Sequence, residues 1–292
     1  MKKAVALALA VTLLVGALAA CGGGTPTADA NASTKPKEEK LPVRVEELWL
    51  QSGDKKVFGT MYLPGEEKET YPTVILSHGF NSSSVLNEGY AKSFAENGYA
   101  AYIFDFCGGS PGTKSDGETT EMSVLTEAQN LMDVMDGVKA LDYVDASNLF
   151  LFGLSQGGYV SAYTAAKRPD DVKGLVLFYP AFALQDGCWE RHGSVENIPD
   201  QEEIMGVTIG SIYSKDAMSM DIYDVIGDYK GDVLICHGDK DTLVDLSYSE
   251  KAVEKYDSAE LKVIKYGEHG FQGKTAKEAT GYTVEFLQTH TS

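Results

Sequence analysis

Positive charge is scarce in this 292-residue sequence. It has 25 Lys and Arg residues against 43 Asp and Glu residues, which gives a net charge of −18. A surface of that sign repels the phosphates of nucleic acids and the headgroups of anionic lipids. We therefore expect no nucleic-acid partner and no electrostatic attachment to an anionic membrane. Acidity alone carries no information about the substrate.

Cysteine is also scarce, with four residues in the whole chain. Cys21 lies close to the N-terminus, and the remaining three, Cys107, Cys188 and Cys236, cannot all pair within one chain. Cys236 lies in an apolar run, which predicts a buried thiol. Cys107 and Cys188 either form a disulfide outside the cell or stay free, since their spacing matches no known pattern.

Two common signatures of cofactor sites are missing. His78 and His237 follow different predicted strands, and the cysteines are scattered, so no group has the spacing of a metal site. The Gly-rich residues 108–112 lack the Gly-Lys-Ser/Thr ending of a phosphate-binding loop. We therefore expect no metal and no other cofactor.

The N-terminal residues read as an export signal. Lys2 and Lys3 precede an apolar stretch over residues 4–20, which is short for a membrane span and ends at small residues, so we predict a signal peptide over 1–20. Residues 18–22 read Leu-Ala-Ala-Cys-Gly and resemble the lipobox of bacterial lipoproteins. That resemblance implies cleavage before Cys21 and acylation of its thiol. An ordinary signal peptide is the alternative.

Residues 22–40 contain no aromatic and no large aliphatic side chain. Such a composition cannot bury enough apolar surface to order itself. We predict a flexible tether over 21–41, beginning at the lipidated cysteine, and one folded domain over 42–292. The expected location is the outer face of a bacterial cytoplasmic membrane, with contact to the membrane only through the lipid.

Apolar runs that predict strands alternate with helical patterns along most of the folded domain. Because the strands are apolar throughout rather than at every second residue, we predict an α/β fold with a mostly parallel sheet covered on both faces. Residues 43–50 and 56–62 predict an antiparallel hairpin at its start. The later strands are predicted at 73–76, 99–104, from 149, at 172–179, 233–236 and 261–266.

The alternation breaks over residues 180–230, a stretch rich in aromatic residues and methionine. This insertion leaves from the carboxyl end of a predicted strand, where open α/β sheets bind their ligands. We therefore predict a lid that selects the acyl group and covers the pocket without touching the triad. A small separate core is the alternative.

Residues 149–158 carry the strongest functional signal, because an apolar run ends in Gly-Leu-Ser-Gln-Gly-Gly and a helical pattern follows directly. Gly-x-Ser-x-Gly between a strand and a helix is typical of a nucleophile elbow. Side chains at Gly153 and Gly157 would collide in so sharp a turn. We predict Ser155 as the nucleophile, with a plain Gly-rich turn as the alternative.

A serine nucleophile needs an imidazole to take its proton and a carboxylate to orient the imidazole, in the chain order Ser, acid, His. Of five histidines, His269 lies in the loop directly after the last predicted strand and is preceded by suitable acids, whereas His290 is two residues from the end of the chain. Residues 237–241 read His-Gly-Asp-Lys-Asp, and we favour Asp241 over Asp239 as the acid. Asp239 is expected to bond its own backbone as a turn residue.

The oxyanion of an acyl-transfer intermediate needs backbone N–H donors. One is expected from Gln156, directly after the nucleophile and at a helix N-terminus. The other is expected from Phe80, in the His-Gly-Phe loop that follows an early strand, where Gly79 allows close approach.

Taken together, residues from about 43 to 287 resemble the α/β-hydrolase superfamily. The motifs are His-Gly-Phe at 78–80, the elbow at 153–158, His-Gly-Asp-Lys-Asp at 237–241 and His-Gly-Phe at 269–271. Within the superfamily they are most similar to bacterial cinnamoyl (feruloyl) esterases, which cleave hydroxycinnamate esters. One departure is residues 105–110, which read Asp-Phe-Cys-Gly-Gly-Ser where many relatives have an Arg-Gly-His-Gly-like loop.

The predicted function is a serine carboxylic ester hydrolase acting on small or hydroxycinnamoyl esters. The alternatives are a peptidase of the prolyl-oligopeptidase type, a monoacylglycerol lipase and a non-catalytic binding lipoprotein. Such peptidases usually carry a large propeller domain. We expect the segment before Thr73 to be too short to form one. A filled set of triad positions argues against the binding protein.

Overall fold

The computed structural model describes residues 41–292, so the predicted signal peptide, Cys21 and all of the tether but its last residue lie outside the described residues. Among residues 41–292, no helix has the length and apolarity required to cross a membrane.

Eight strands of the described chain form one sheet, and two more form a separate hairpin. In chain order the strands are β1 (Arg44–Ser52), β2 (Lys55–Leu63), β3 (Tyr71–Ser77), β4 (Ala100–Phe104), β5 (Val144–Leu154), β6 (Gly174–Phe178), β7 (Gln201–Ile204), β8 (Val207–Gly210), β9 (Asp232–Gly238) and β10 (Ala259–Ile264).

The large sheet has the strand order β1-β2-β4-β3-β5-β6-β9-β10. The predicted antiparallel hairpin is β1–β2, and β2 also pairs antiparallel with β4. The other pairs are all parallel. The prediction of a mostly parallel sheet is therefore confirmed.

Helices cover both faces of this sheet. In chain order the helices of residues 41–292 are α1 (Glu88–Glu96), α2 (Val124–Lys139), α3 (Gln156–Lys167), α4 (Leu184–His192), α5 (Ser211–Met218), α6 (Ser247–Val253) and α7 (Gly273–His290), of which α4 and α5 belong to the insertion described below. In β5, Leu149 and Leu151 join the core on the side of α2 and α3, while Phe150 and Phe152 join the core on the side of α1 and α7. Because both faces are buried, every residue of this central run is apolar.

The insertion between β6 and β9 contains α4, the β7–β8 hairpin and α5. It has small cores of its own, one of which joins Met122 to Val207, Ile209 and Tyr213. It also lines the cleft above the serine, as described below. The segment therefore has small cores and also supplies cleft residues, and its action as a lid stays a prediction.

The three cysteines within the described residues are all buried and free. Cys107 and Cys188 are thus not joined in a disulfide, and Cys236 is a buried thiol, as its apolar run predicts. Burial raises the pKa of Cys236 far above its ordinary value, so this thiol stays protonated and unreactive.

Candidate active site

Ser155 lies on the turn between β5 and α3, with φ 51° and ψ −117°. A positive φ is strained for a residue with a side chain, and such strain is common at functional sites. A Cβ on Gly153 would lie 2.3 Å from the Gly157 carbonyl oxygen, and one on Gly157 would lie 2.4 Å from the His78 carbonyl oxygen. Gly153 is therefore required by the turn itself, and Gly157 by the close approach of the backbone at the end of β3.

Ser155, His269 and Asp241 come together at the carboxyl edge of the sheet. The Ser155 Oγ lies 2.9 Å from Nε2 of His269, and Nδ1 of His269 lies 2.7 Å from Oδ2 of Asp241. These three side chains are supplied by the ends of β5, β9 and β10, which are far apart in the chain but share one edge of the sheet. An imidazole held between a hydroxyl and a carboxylate is arranged to accept the hydroxyl proton.

The Asp241 side chain is fully buried, and both of its carboxylate oxygens accept hydrogen bonds. Its Oδ1 accepts the backbone N–H groups of Leu243 and Val244, each at 2.9 Å. Burial opposes ionisation of this carboxyl, but hydrogen bonds from His237, His269 and the Val244 amide outweigh it and hold its pKa well below the ordinary value. Asp241 is therefore a carboxylate throughout the neutral range.

Asp239 has a different partner from the one expected. It is exposed, and its Oδ1 accepts the backbone N–H of Tyr266 at 2.6 Å rather than an N–H of its own turn. The expectation of a local turn bond was therefore wrong. Asp239 ties the loop after β9 to the loop after β10, and the acid that contacts His269 is Asp241.

His237 is a contact of the acid that sequence reasoning missed. Its Nε2 lies 3.2 Å from Oδ2 of Asp241 and 3.0 Å from the Val244 carbonyl oxygen. Both are acceptors, so Nε2 carries a proton and Nδ1 faces the Ser249 hydroxyl at 2.6 Å. The available signal was the spacing of four residues between His237 and Asp241.

The loop after β3 brings the Gly79–Phe80 peptide beside the serine. A Cβ on Gly79 would lie 3.2 Å from Cβ of Ser155, which is the close approach that glycine permits. His78 donates from Nδ1 to the Gly79 carbonyl oxygen at 2.8 Å and accepts the Phe106 N–H on Nε2 at 3.1 Å. The Gly79 carbonyl and the Phe80 N–H belong to one planar peptide unit. His78 therefore orients the Phe80 donor.

His78 can make both hydrogen bonds only as a neutral imidazole with its proton on Nδ1. Burial lowers its pKa, which keeps it neutral. Its role in the site is thus to hold the loop backbone. It precedes Ser155 in the chain, whereas the base of such a triad follows the acid.

Gln156 is the first residue of α3, so the helix begins within the elbow motif, three residues earlier than the pattern predicted. The N–H groups of a first helical turn have no intrahelical acceptor and lie at the positive end of the helix dipole. The backbone N–H of Gln156 is therefore available to an anion bound beside Ser155. Its side chain is buried and bonded to other residues.

A cleft of about 440 Å³ opens beside Ser155 and Gln156. That volume suits a small organic molecule. The insertion supplies much of its wall. The apolar and aromatic lining consists of Phe80, Ala181, Ala183, Leu184, Ile204, Met205, Tyr213, Leu243, Val244 and Tyr248. Charged groups in the lining are Asp186, Glu190, Arg191 and Asp245.

The insertion also contacts the two residues that were predicted as oxyanion donors. Tyr213, in α5 of the insertion, donates its hydroxyl to the Gln156 side chain at 2.7 Å, and its ring packs against Phe80 with centroids 5.5 Å apart. The insertion therefore supports both residues that were predicted to form the oxyanion hole. Among residues 41–292, no group of His, Cys, Asp and Glu is arranged to hold a metal ion.

Solved structures share this architecture. Est1E from Butyrivibrio proteoclasticus, with ferulic acid bound, is 25% identical at a TM-score of 0.77, and the match covers 83% of this chain and 98% of that one. The alpha/beta hydrolase GrgF from Penicillium sp. sh18 is 18% identical at a TM-score of 0.69, over 86% of this chain and 99% of that one. With the strand order above, these likenesses confirm the predicted α/β-hydrolase fold.

Sequence comparisons point to hydrolases as well. A family model described as serine aminopeptidase, S33, matches residues 68–197. Acylamino-acid-releasing enzyme 2 from Oryza sativa subsp. japonica is 29% identical over 187 residues, which is 55% of this chain and 23% of that protein. The chain thus spans less than a quarter of that curated relative. The comparisons together support a hydrolase.

Proposed function

We propose that the protein is a serine carboxylic ester hydrolase that works through an acyl-enzyme on Ser155. The observation that carries this proposal is the pair of hydrogen bonds made by His269, at 2.9 Å to the Ser155 hydroxyl and 2.7 Å to Asp241, beside an open cleft. A hydroxyl with this orientation and this access to ligand is set up for acyl transfer.

In the first half-reaction, the Ser155 Oγ attacks the ester carbonyl carbon while its proton moves to Nε2 of His269. The carbonyl electron pair becomes an oxyanion. When the intermediate collapses, the bond to the alcohol oxygen breaks, and the leaving alkoxide takes the proton from His269. An acyl group then remains on Ser155.

In the second half-reaction, a water molecule gives a proton to His269 as its oxygen attacks the acyl carbon. Collapse of the second oxyanion breaks the bond to Ser155, and the proton returns from His269 to the serine oxygen. The free acid leaves. Asp241 holds the imidazole in the required tautomer in both halves.

The backbone N–H groups of Phe80 and Gln156 stabilise the oxyanion in both halves. The Phe80 donor is oriented by His78, and the Gln156 donor by its position at the start of α3. One such donor contributes roughly 10²–10³ in rate.

The acyl group is hydroxycinnamoyl or another small or medium-length group. Support comes from the mostly apolar and aromatic walls of the cleft and from the likeness to a structure of Est1E with ferulic acid bound. The second candidate is an acylaminoacyl peptidase, favoured by the likeness to acylamino-acid-releasing enzymes. A monoacylglycerol lipase uses the same chemistry on a longer acyl chain.

A substrate panel separates these functions. We expect methyl cinnamate, methyl ferulate and short acyl esters to be hydrolysed with a kcat/KM at least about 10²-fold above that of N-acetyl-aminoacyl anilides, because no group beyond the triad and the two donors is needed for an ester. A preference for the anilides would replace the proposal with the peptidase. A preference for long acyl esters would replace it with the lipase.

The insertion contributes to acyl selectivity through its apolar side chains. Ile204, at the end of β7, lines the cleft and is half-buried. Ile204→Ala removes apolar surface, at roughly 0.8 kcal/mol per buried CH₂, and should raise KM for methyl cinnamate about tenfold but change KM for methyl acetate little. Steady-state kinetics on both esters measure this difference.

Val195→Ala is the matched control for that change. Val195 also belongs to the insertion, is 40% exposed and does not line the cleft. It should leave the ratio of the two KM values as in the wild type. If Ile204→Ala keeps the wild-type ratio as well, the acyl group is selected elsewhere.

We further propose that the protein is a lipoprotein at the outer face of a bacterial membrane, on the grounds of the lipobox-like residues 18–22 and the composition of 22–40. Cys21→Ser should prevent incorporation of labelled palmitate and move the esterase activity from the membrane fraction to the soluble fraction, because the acylated thiol is the expected attachment. Activity that stays with the membrane in Cys21→Ser would refute the anchor.

A further inference from the structure

The side chain of Gln156 is held on both ends by buried groups from two other elements. Its Nε2 donates to Oε2 of Glu127 at 2.8 Å, and its Oε1 accepts from the Tyr213 hydroxyl at 2.7 Å. Glu127 lies on α2 and Tyr213 on α5, and all three residues are less than 5% exposed. Neither Glu127 nor Tyr213 is used by the proposed chemistry. The network nevertheless fixes the residue whose backbone N–H faces the oxyanion.

Glu127 is an unusual residue for this position because it is a carboxyl group in an apolar helix interface. Burial raises its pKa to about 8, against the hydrogen bond from Gln156, which lowers it. A carboxyl group in that state is neutral at pH values below this point and becomes negatively charged above it. Ionisation then places the negative charge of the Glu127 carboxylate next to the side-chain amide of Gln156.

Tyr213 connects the same network to the second oxyanion donor. Its ring packs against the Phe80 ring. Burial, and after it the charge of an ionised Glu127, raises the Tyr213 pKa well above its ordinary value. The phenol therefore stays protonated, and Glu127 is the member of the network that changes charge in the mildly alkaline range.

Other charged or titratable groups lie on the elements that pack against α2. They are Lys215 and Asp216 of α5, Tyr159, Tyr163 and Lys167 of α3, Arg44, Glu46 and Glu47 of β1, and Asp145 of β5. On the chain leading into α2, Glu121 is paired with Lys55, and Asp216 accepts the Ser123 hydroxyl. The direct hydrogen-bond partner of the Glu127 carboxyl is Gln156.

We propose that Glu127 and Tyr213 are positioning residues that hold Gln156 for oxyanion stabilisation, and that ionisation of Glu127 gives the enzyme its alkaline limit. The inference rests on the proposed function, since it concerns the same oxyanion. When Glu127 ionises, its negative charge has the same sign as the oxyanion and lies one side chain away from it. Because Glu127 is buried, its charge is screened little by solvent and slows acyl transfer by roughly tenfold.

The test is the pH dependence of kcat for methyl cinnamate, an ester without an ionisable group, with spontaneous hydrolysis subtracted. In the wild type, kcat should fall about tenfold between about pH 7 and pH 9.5 as the network ionises. Glu127→Gln preserves the shape of the side chain and cannot ionise. The ratio of its kcat values at the two pH values should therefore be close to one.

Two controls identify the titrating group. Tyr213→Phe removes the phenol and retains Glu127, so it should lower kcat at every pH and keep the alkaline fall. Asp136→Asn removes a carboxyl group from the exposed side of the same helix and should also keep the alkaline fall. An alkaline fall with the same midpoint in Glu127→Gln as in the wild type would overturn the inference, as would its loss in Tyr213→Phe.

A measurement on the wild type covers the case in which Glu127→Gln does not fold. Infrared difference spectroscopy should show the carbonyl stretch of a protonated carboxyl group disappearing over the pH range in which kcat falls, and a band that is absent or unchanged there would overturn the inference. If no ester is turned over at any pH, the proposed function itself fails. If esters are turned over with a flat alkaline profile, only the role of Glu127 fails.

Discussion

Ser155→Ala should reduce the hydrolysis of methyl cinnamate by about 10⁴-fold or more, since loss of one triad member typically removes that much. The Ser155 side chain makes no helix-capping hydrogen bond, and the residue has a positive φ with or without the hydroxyl. The fold should therefore be retained, with a thermal midpoint close to that of the wild type. Initial rates and thermal unfolding of the purified variant measure both effects.

Ser161→Ala is a matched control for this prediction. Ser161 lies two turns further along α3, is fully buried, and its hydroxyl has no hydrogen-bond partner among the described residues. Removing that hydroxyl should leave activity and stability near the wild type. A fluorophosphonate should label the wild type and Ser161→Ala but not Ser155→Ala. Wild-type activity in Ser155→Ala would exclude this residue as the nucleophile.

Asp241→Asn should lower kcat by about 10⁴, because an amide nitrogen facing His269 favours the wrong tautomer of the imidazole. The same amide would also face the protonated Nε2 of His237, 3.2 Å from Oδ2 of the present carboxylate. Asp239→Asn should cost less than about tenfold, since an amide oxygen can still accept the Tyr266 N–H. Steady-state kinetics on the two purified variants compare these effects.

The opposite order of damage would transfer the role of the acid to Asp239. The pH dependence provides an independent check on Asp241. Because its pKa is held below the ordinary value of 3.8, the stabilisation it provides is complete above that value and is lost only as the pH falls further. An acid limb of kcat near neutrality must therefore come from a group other than Asp241.

The pH dependence of stability that Glu127 produces has the opposite sign to that of Asp241. A carboxyl whose folded pKa is raised to about 8 from 4.5 binds more protons in the folded state than in the unfolded one. Its contribution is most favourable below about pH 4.5, and the free energy of unfolding falls as the pH rises toward 8, by an amount on the order of several kcal/mol. The wild type is therefore expected to be less stable in mild alkali than Glu127→Gln.

Much of the architecture followed from local pattern. Apolar runs without alternation predict strands buried on both faces, and the split of Leu149 and Phe150 between two cores explains that composition. The elbow was also readable from its Gly-x-Ser-x-Gly pattern, although only Gly153 is required by a contact within five residues, and Gly157 is required by the approach of His78. Chain order then selected His269 and Asp241, which the structure brings together with Ser155.

Contacts between distant elements could not be read in the same way. Asp239 and Asp241 have similar turn positions, and only the approach of the loop after β10 determines that one bonds Tyr266 and the other His269. His237 was excluded as a base on chain order, yet it contacts the acid directly. A side chain's partner depends on which loop packs against it, and that choice is made by the whole sheet edge.

By itself, then, the sequence determined the fold class, the elbow and the candidate triad, because strand burial, tight-turn sterics and chain order are each expressed in short stretches of residues. Only the tertiary structure decided that Glu127 and Tyr213 converge on Gln156. A single glutamate within an amphipathic helix looks like any solvated acid, and its burial becomes visible only when α2 packs against α3. The separation of 57 residues between Tyr213 and Gln156 carries no pattern, since their contact arises from docking of the insertion above the serine.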